Sequence, residues 1–182
     1  MRFFIIALFM ACLITPGYGV VDCPPVITNG KLYDILPVAT QKVTYSAVVD
    51  CGTVSQADLF RRARLWAVQS CQAPGDTFPL LDKETGDLVG RVSQMITLPR
   101  SEQSAGGVYT FQYSLVIECA NRKYRATITQ LYVQESGAKP IPVETYCQKN
   151  EADLRSIYVA LDRQLNDRLT SLRENVTNYK PF

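Results

Sequence analysis

From Tyr109 to Cys119 the chain places an apolar residue at every second position: Tyr109, Phe111, Tyr113, Leu115, Ile117 and Cys119. The positions between them hold Thr110, Gln112, Ser114 and Glu118, with Val116 the exception. A period of two is the side-chain period of a β-strand, so this stretch has one buried face and one open face. The rest of the chain must therefore supply strands to pair with it and an apolar layer to cover its buried side.

Partner strands are legible on both sides. Lys42 to Asp50 alternates, with Val43, Tyr45, Ala47 and Val49 facing one way and Lys42, Thr44 and Ser46 mostly the other. Phe78–Leu81 and Leu88–Leu98 read as two more strands, joined by the turn Lys83-Glu84-Thr85-Gly86-Asp87 with Gly86 at the positive-φ position. Beyond Cys119, Asn121-Arg122 turns into a last strand, Lys123 to Val133, with Tyr124, Ala126 and Ile128 inward.

Two amphipathic helices supply the layer. Ser55 is an N-cap with Asp58 three residues on, close to a capping box and well placed against the helix dipole. Leu59, Ala63, Trp66 and Ser70 share one stripe flanked by Phe60, Ala67 and Cys71, and Pro74-Gly75 ends the helix. A longer helix runs from about Asn150 to Val176, where Leu154, Tyr158, Leu161, Leu165, Leu169, Leu172 and Val176 recur in steps of three and four. Such a helix is roughly 40 Å long, whereas a strand of typical length covers about 20 Å. Its second half (Leu165, Leu169, Leu172 and Val176) is thus expected to overhang the sheet and offer an interface, including one between two copies.

The element order is β-α-β-β-β-β-α, which predicts an α+β fold: a five-stranded antiparallel sheet with two helices on one face. The other face stays open and carries mainly Lys42, Thr44, Ser46, Thr110, Gln112, Ser114, Arg125, Thr127 and Thr129.

The N-terminus speaks to compartment. Met1-Arg2 precedes an apolar run from Phe3 to Ile14, and Gly17 and Gly19 are small residues before a cut after Gly19. This is the layout of a secretory signal peptide, too short to span a bilayer. Lipoprotein processing at Cys12 is the alternative, and only lipidation there would tie the chain to a membrane. The expected organisation is residues 1–19 as signal, 20–40 as an irregular lead-in rich in Pro and Gly, and 41–178 as one domain. No later segment is apolar enough to cross a membrane, so periplasmic or secreted protein is expected, with outer-membrane lipoprotein as the alternative.

Composition excludes several chemistries. The formal net charge is only +2, which gives no electrostatic footprint for nucleic acid. There is no histidine, which removes Ser-His-Asp and Cys-His catalysis and the commonest metal ligand. Of six cysteines, Cys12 leaves with the signal, and no remaining pair has C-x-x-C spacing. Oxidising export favours disulfides; five cysteines allow fifteen two-bridge arrangements, among which Cys51 with Cys119, both at strand ends, and Cys71 with Cys147, tying the two helices, are the candidate pairings, with Cys23 then spare.

The chain also resembles the exported bacterial family known as domain of unknown function 4468, described as having a TATA-binding-protein-like fold. The residues that carry the likeness are Asp58-Leu59-Phe60-Arg61-Arg62-Ala63-Arg64-Leu65-Trp66, Leu81-Asp82-Lys83-Glu84-Thr85-Gly86, Leu88-Val89-Gly90 and Arg122-Lys123-Tyr124-Arg125. The likeness covers about Gln41 to Val133. It implies the fold and export, and no activity.

The candidate sites divide into chemistry and surface. Asp82, Glu84 and Asp87 sit on one turn, but they lack calcium-loop spacing and read as a solvated hairpin. Arg61, Arg62 and Arg64 read as a solvated helix face, and Trp66 as core with its N–H bonded to backbone. The open sheet face, represented by Thr44, Thr110, Gln112, Arg125 and Thr127, is the candidate binding surface. Neither a cofactor, a metal nor a catalytic set is expected. A non-enzymatic binding or assembly domain of the cell envelope follows, with an unknown protein or glycan partner; the alternative is an accessory or inhibitor domain recognising glycan or peptide on the open face.

Overall fold

Three long strands form the centre of the molecule, whose computed structural model describes residues 24–102, 104–134, 139–148 and 150–179. The expected signal segment, Cys12 and Cys23 lie outside these residues. In chain order the elements are β1 (Ile27–Thr28), β2 (Lys31–Leu32), β3 (Leu36–Ala39), β4 (Lys42–Val43), β5 (Tyr45–Asp50) and α1 (Gln56–Ser70). They continue with β6 (Thr77–Asp82), β7 (Asp87–Leu98), β8 (Gly107–Ala120), β9 (Lys123–Gln134), β10 (Ile141–Pro142), a 3₁₀ turn at Val143–Thr145 and α2 (Glu151–Thr177).

The main sheet is antiparallel throughout and runs β9-β8-β7-β6, with β5 and β10 both paired to the outer side of β9. β5 takes Lys123–Ile128 and β10 takes Tyr132–Val133, so the two lie in line along one edge. The sheet is therefore five positions wide, as the alternation predicts, with six strands filling them.

One face is sealed by both helices. Leu88, Val92, Ile96, Phe111, Leu115, Ile117, Ala126 and Ile128 point into it and are almost wholly buried. They meet Leu59, Phe60, Ala63, Trp66 and Ala67 of α1 and Leu154, Ile157, Tyr158, Leu161, Leu165, Leu172 and Val176 of α2. Gly90 belongs to this face because the Phe78 ring of β6 lies across it; a Cβ there would meet the ring at 2.4 Å.

Two expectations change. Residues 20–40 are not an irregular lead-in where described: β1 to β4 make a small antiparallel meander, and Leu32 and Leu36 are fully buried. Its strands are two to four residues long, separated by left-handed residues such as Asn29, Gly30, Tyr33 and Asp34, so no alternation can develop. Backbone and ring contacts fasten it: Glu144 Oε1 accepts from the Val43 N–H at 2.7 Å, and the Tyr33 ring packs on Tyr158 at 5.7 Å.

Nor does α2 overhang. β8 has 14 residues and β7 and β9 have 12 each, so the sheet is roughly 40–45 Å long at about 3.3 Å per residue and matches the helix. The first half of α2 lies on the meander and the second half on α1. Leu165, Leu172 and Val176 are fully buried in the chain's own core, and Leu169 is half-buried against it. These four residues do not form a free interface.

Candidate functional site

Register sets out the open face as rows of side chains crossing the sheet. One row is Val48, Arg125, Glu118, Asp87 and Asp82; the next is Ser46, Thr127, Val116, Val89 and Leu80. A third holds Thr129, Ser114 and Arg91, and beyond it Gln112 has Tyr132 on one side and Ser93 on the other. Thr44 joins the face at its margin, its Oγ1 3.2 Å from Thr129 Oγ1.

The rows differ in how their charges are satisfied. Arg125 donates Nε and Nη2 to the two Glu118 oxygens, both at 2.7 Å, a bidentate pair. The hydrogen bond from Arg125 holds the Glu118 carboxyl below its usual range, against a smaller opposing effect of burial. Arg91 is the contrast: among the described residues its guanidinium has no hydrogen bond and no ion pair.

A break in the ladder makes a hollow beside Arg91. Between the pairs Gln112↔Tyr132 and Ser114↔Thr129, two residues of β9, Gln130 and Leu131, oppose Tyr113 alone. This is a β-bulge, and Gln130 takes φ +54°, a left-handed conformation inside a strand. The bulge keeps both Ile128 and Leu131 buried, since it shifts the inward phase by one residue. It also leaves Gln130 on the open side, where Ser114 Oγ lies 2.9 Å from Gln130 Oε1. The result is a pocket of about 260 Å³ lined by Arg91, Gln112, Ser114, Gln130, Tyr132 and Pro140.

A roomier hollow of about 630 Å³ runs along the outer flank of α1 past Phe60, Leu65, Val68 and Lys83. Its carboxylate, Asp58, is already bonded to Arg61 and Arg62, and the remaining polar lining is Ser55, which caps α1, with Arg64 and Lys83.

The sequence profile of a family described as "Domain of unknown function (DUF4468) with TBP-like fold" matches residues 45–134, the span from β5 through β9. The domain belongs to that family. Solved structures agree on the fold. A DUF4468 family protein from Bacteroides ovatus superposes with TM-score 0.66 at 13% identity, over 80% of this chain and 94% of its own. A TBP-like protein from Parabacteroides distasonis gives 0.56 at 14%, over 77% and 98%. No curated protein matches the chain.

Within the DUF4468 domain the residues anticipated for the binding surface share the open face. Thr110 and Thr127 are half-buried on it, Gln112 lines the pocket, and Arg125 is spent on Glu118. Arg91, Gln130 and Tyr132 were not anticipated. Outward alternation along Val89, Arg91, Ser93 and Met95 carries the signal for Arg91, whereas the bulge that exposes Gln130 has no local signature.

The other candidates are structural. Asp82 Oδ1 accepts from the Glu84 N–H at 2.8 Å, an Asx turn that lowers its pKa and uses the carboxylate within the hairpin. Gly86 closes that turn at φ +83°, and a Cβ would strike Cys119 O at 2.5 Å. Arg62 is not solvated: it grips Asp58 at 2.6 Å and donates to the Val176 carbonyl at the end of α2. Trp66 is core, but its N–H goes to the Ser171 hydroxyl rather than to backbone.

Neither expected disulfide forms, because Cys51, Cys71 and Cys119 are free thiols. Cys147 is disulfide-bonded, but to none of these three. Cys71 instead contacts the Arg168 guanidinium, at 3.7 Å.

Proposed function

We propose that this is an exported, non-enzymatic binding domain of the cell envelope whose working surface is the open sheet face. The observation that carries the reading is the bulge at Gln130, which opens a polar pocket in a face the helices leave uncovered. Bulges re-aim side chains, and a strained residue held inside a central strand marks a place worth testing for function. The absence of histidine and the signal-like N-terminus support binding outside the cytoplasm over catalysis. Assembly through α2 loses its support, since Leu165, Leu172 and Val176 are already buried.

The test is a glycan and peptide array probed with the wild type and with Thr127→Arg, a bulky cation set in the middle of the face. Ligands bound by the wild type and lost by the variant, with unchanged thermal stability, are the expected result. An array with no signal above background, or one that Thr127→Arg leaves intact, rejects the sheet face as the working surface.

A further inference from the structure

The pocket beside Arg91 also indicates what kind of ligand the open face takes. Resting on the sheet-face reading above, we propose that this pocket binds one carboxylate-bearing sugar unit of a glycan, with Arg91 pairing the carboxylate.

The charge is the first ground. Among the described residues Arg91 has no acidic partner, and the nearer carboxylates of the first row, Glu118 and Asp87, lie four residues along their strands, roughly 13 Å away. Glu118 is moreover occupied by Arg125. A guanidinium with open donors presents a planar fork that fits a carboxylate bidentately.

The neighbours argue for a sugar. Gln112, Ser114 and Gln130 are neutral groups that both donate and accept, as ring hydroxyls do. Tyr132 adds an aromatic ring with an apolar body and a polar tip. At about 260 Å³ the pocket falls below the range of drug-sized ligands and suits a single ring.

Strand position disfavours a peptide. The pocket spans β7, β8 and β9; β7 and β8 pair on both sides there, and the outer side of β9 is left unpaired only over residues 129–131, between its pairings with β5 and β10. A peptide recognised by strand addition needs a longer free edge than these three residues, which β5 and β10 close off at either end.

The deciding experiment is NMR titration of the full-length mature protein with tetragalacturonate and, separately, with neutral maltotetraose. Expected are shifts at Arg91, Ser114, Gln130 and Tyr132 with the acidic probe, and at least about tenfold weaker binding for Arg91→Gln, with Arg91→Lys in between. Equal response to both probes, with Arg91→Gln unaffected, overturns the carboxylate assignment while leaving the sheet face in use. If the acidic probe moves no resonance on the face, the proposal also fails; the array then decides separately whether the face binds anything.

Discussion

Trp66 and Ser171 lock the two helices together: the indole Nε1 donates to the serine Oγ at 3.1 Å, with Trp66 only 1% exposed. On either side Arg168 donates to the Ser70 carbonyl at 2.6 Å and Arg62 to the Val176 carbonyl at 2.9 Å. The helices thus run antiparallel, tied by three polar contacts over an apolar seam. Ser171→Ala strands a buried N–H and is expected to cost about 1–3 kcal/mol in urea unfolding. In a Trp66→Phe background the same substitution should cost close to nothing. Equal costs in both backgrounds would show that the hydrogen bond is not what Ser171 contributes.

Acid should weaken the same helix pair. At Asp58 burial pushes the carboxyl pKa up, but hydrogen bonds and charge from Arg62 and Arg61 outweigh it, and the net shift is downward. A depressed folded value means stability is fully present above the ordinary carboxylate range and is lost as pH falls through the depressed one. With no histidine in the chain, nothing of that kind titrates from pH 5 to 8. Denaturation midpoints should therefore stay level down to about pH 4.5, the usual value for Glu118, and fall below it. Asp58→Asn should lower the plateau and flatten the acid limb; an unchanged limb would assign it to Glu118 and Asp82.

Tyr113 carries a buried hydroxyl without a hydrogen-bond partner among the described residues. Arg168 lies near but spends Nη1 on Ser70 and Nη2 on Gln94. Burial, opposed by the Arg168 charge, pushes the phenol up to about 12. Removing an unsatisfied buried polar atom while keeping the ring should not destabilise. Tyr113→Phe is expected to raise stability by up to about 1 kcal/mol, and a loss measured by thermal and urea unfolding would reveal a bridging water.

The two buried free thiols, Cys71 and Cys119, should be inert in the native protein. Burial raises Cys71 to about 11 despite Arg168, and raises Cys119 to about 12 with help from Asp87 and Cys51. Thiolate is the reactive form. Iodoacetamide at pH 8 should leave both unmodified until denaturant is added, as read by peptide mass spectrometry. Fast native labelling of Cys119, or a linked Cys51–Cys119 peptide, would contradict the free-thiol geometry.

How much of this was legible follows from where periodicity is long enough to read. β8 and α2 announce themselves because 14 and 27 residues hold one period without a break. The meander does not, since two-residue strands such as Ile27–Thr28 contain no period. The expected overhang of α2 rested on strands of ordinary length, and β7 to β9 are about twice that. Arg62 reads as solvated from its helix position alone; its 13% exposure depends on α2 arriving from more than a hundred residues away. Arg91, Gln112 and Tyr132 meet only through the register of three strands, and the phase slip after Ile128 is invisible until Leu131 is seen to be buried.

That slip supplies a last test, in which stability and binding should move in opposite directions. Gln130 holds φ +54°, which costs a non-glycine residue about 1–2 kcal/mol, and its contact with Ser114 returns only part of that because both side chains are exposed enough to bond water. Gln130→Gly removes the strain and keeps the bulge, so the unfolding midpoint should rise slightly. The same change deletes a wall of the pocket and a hydroxyl-bonding amide, so affinity for the acidic oligosaccharide should fall. Gln130→Asn, also tolerant of the left-handed region, should retain the stability of the wild type and part of the binding. Were Gln130→Gly to lose stability instead, the side chain would be holding the bulge open rather than serving the ligand.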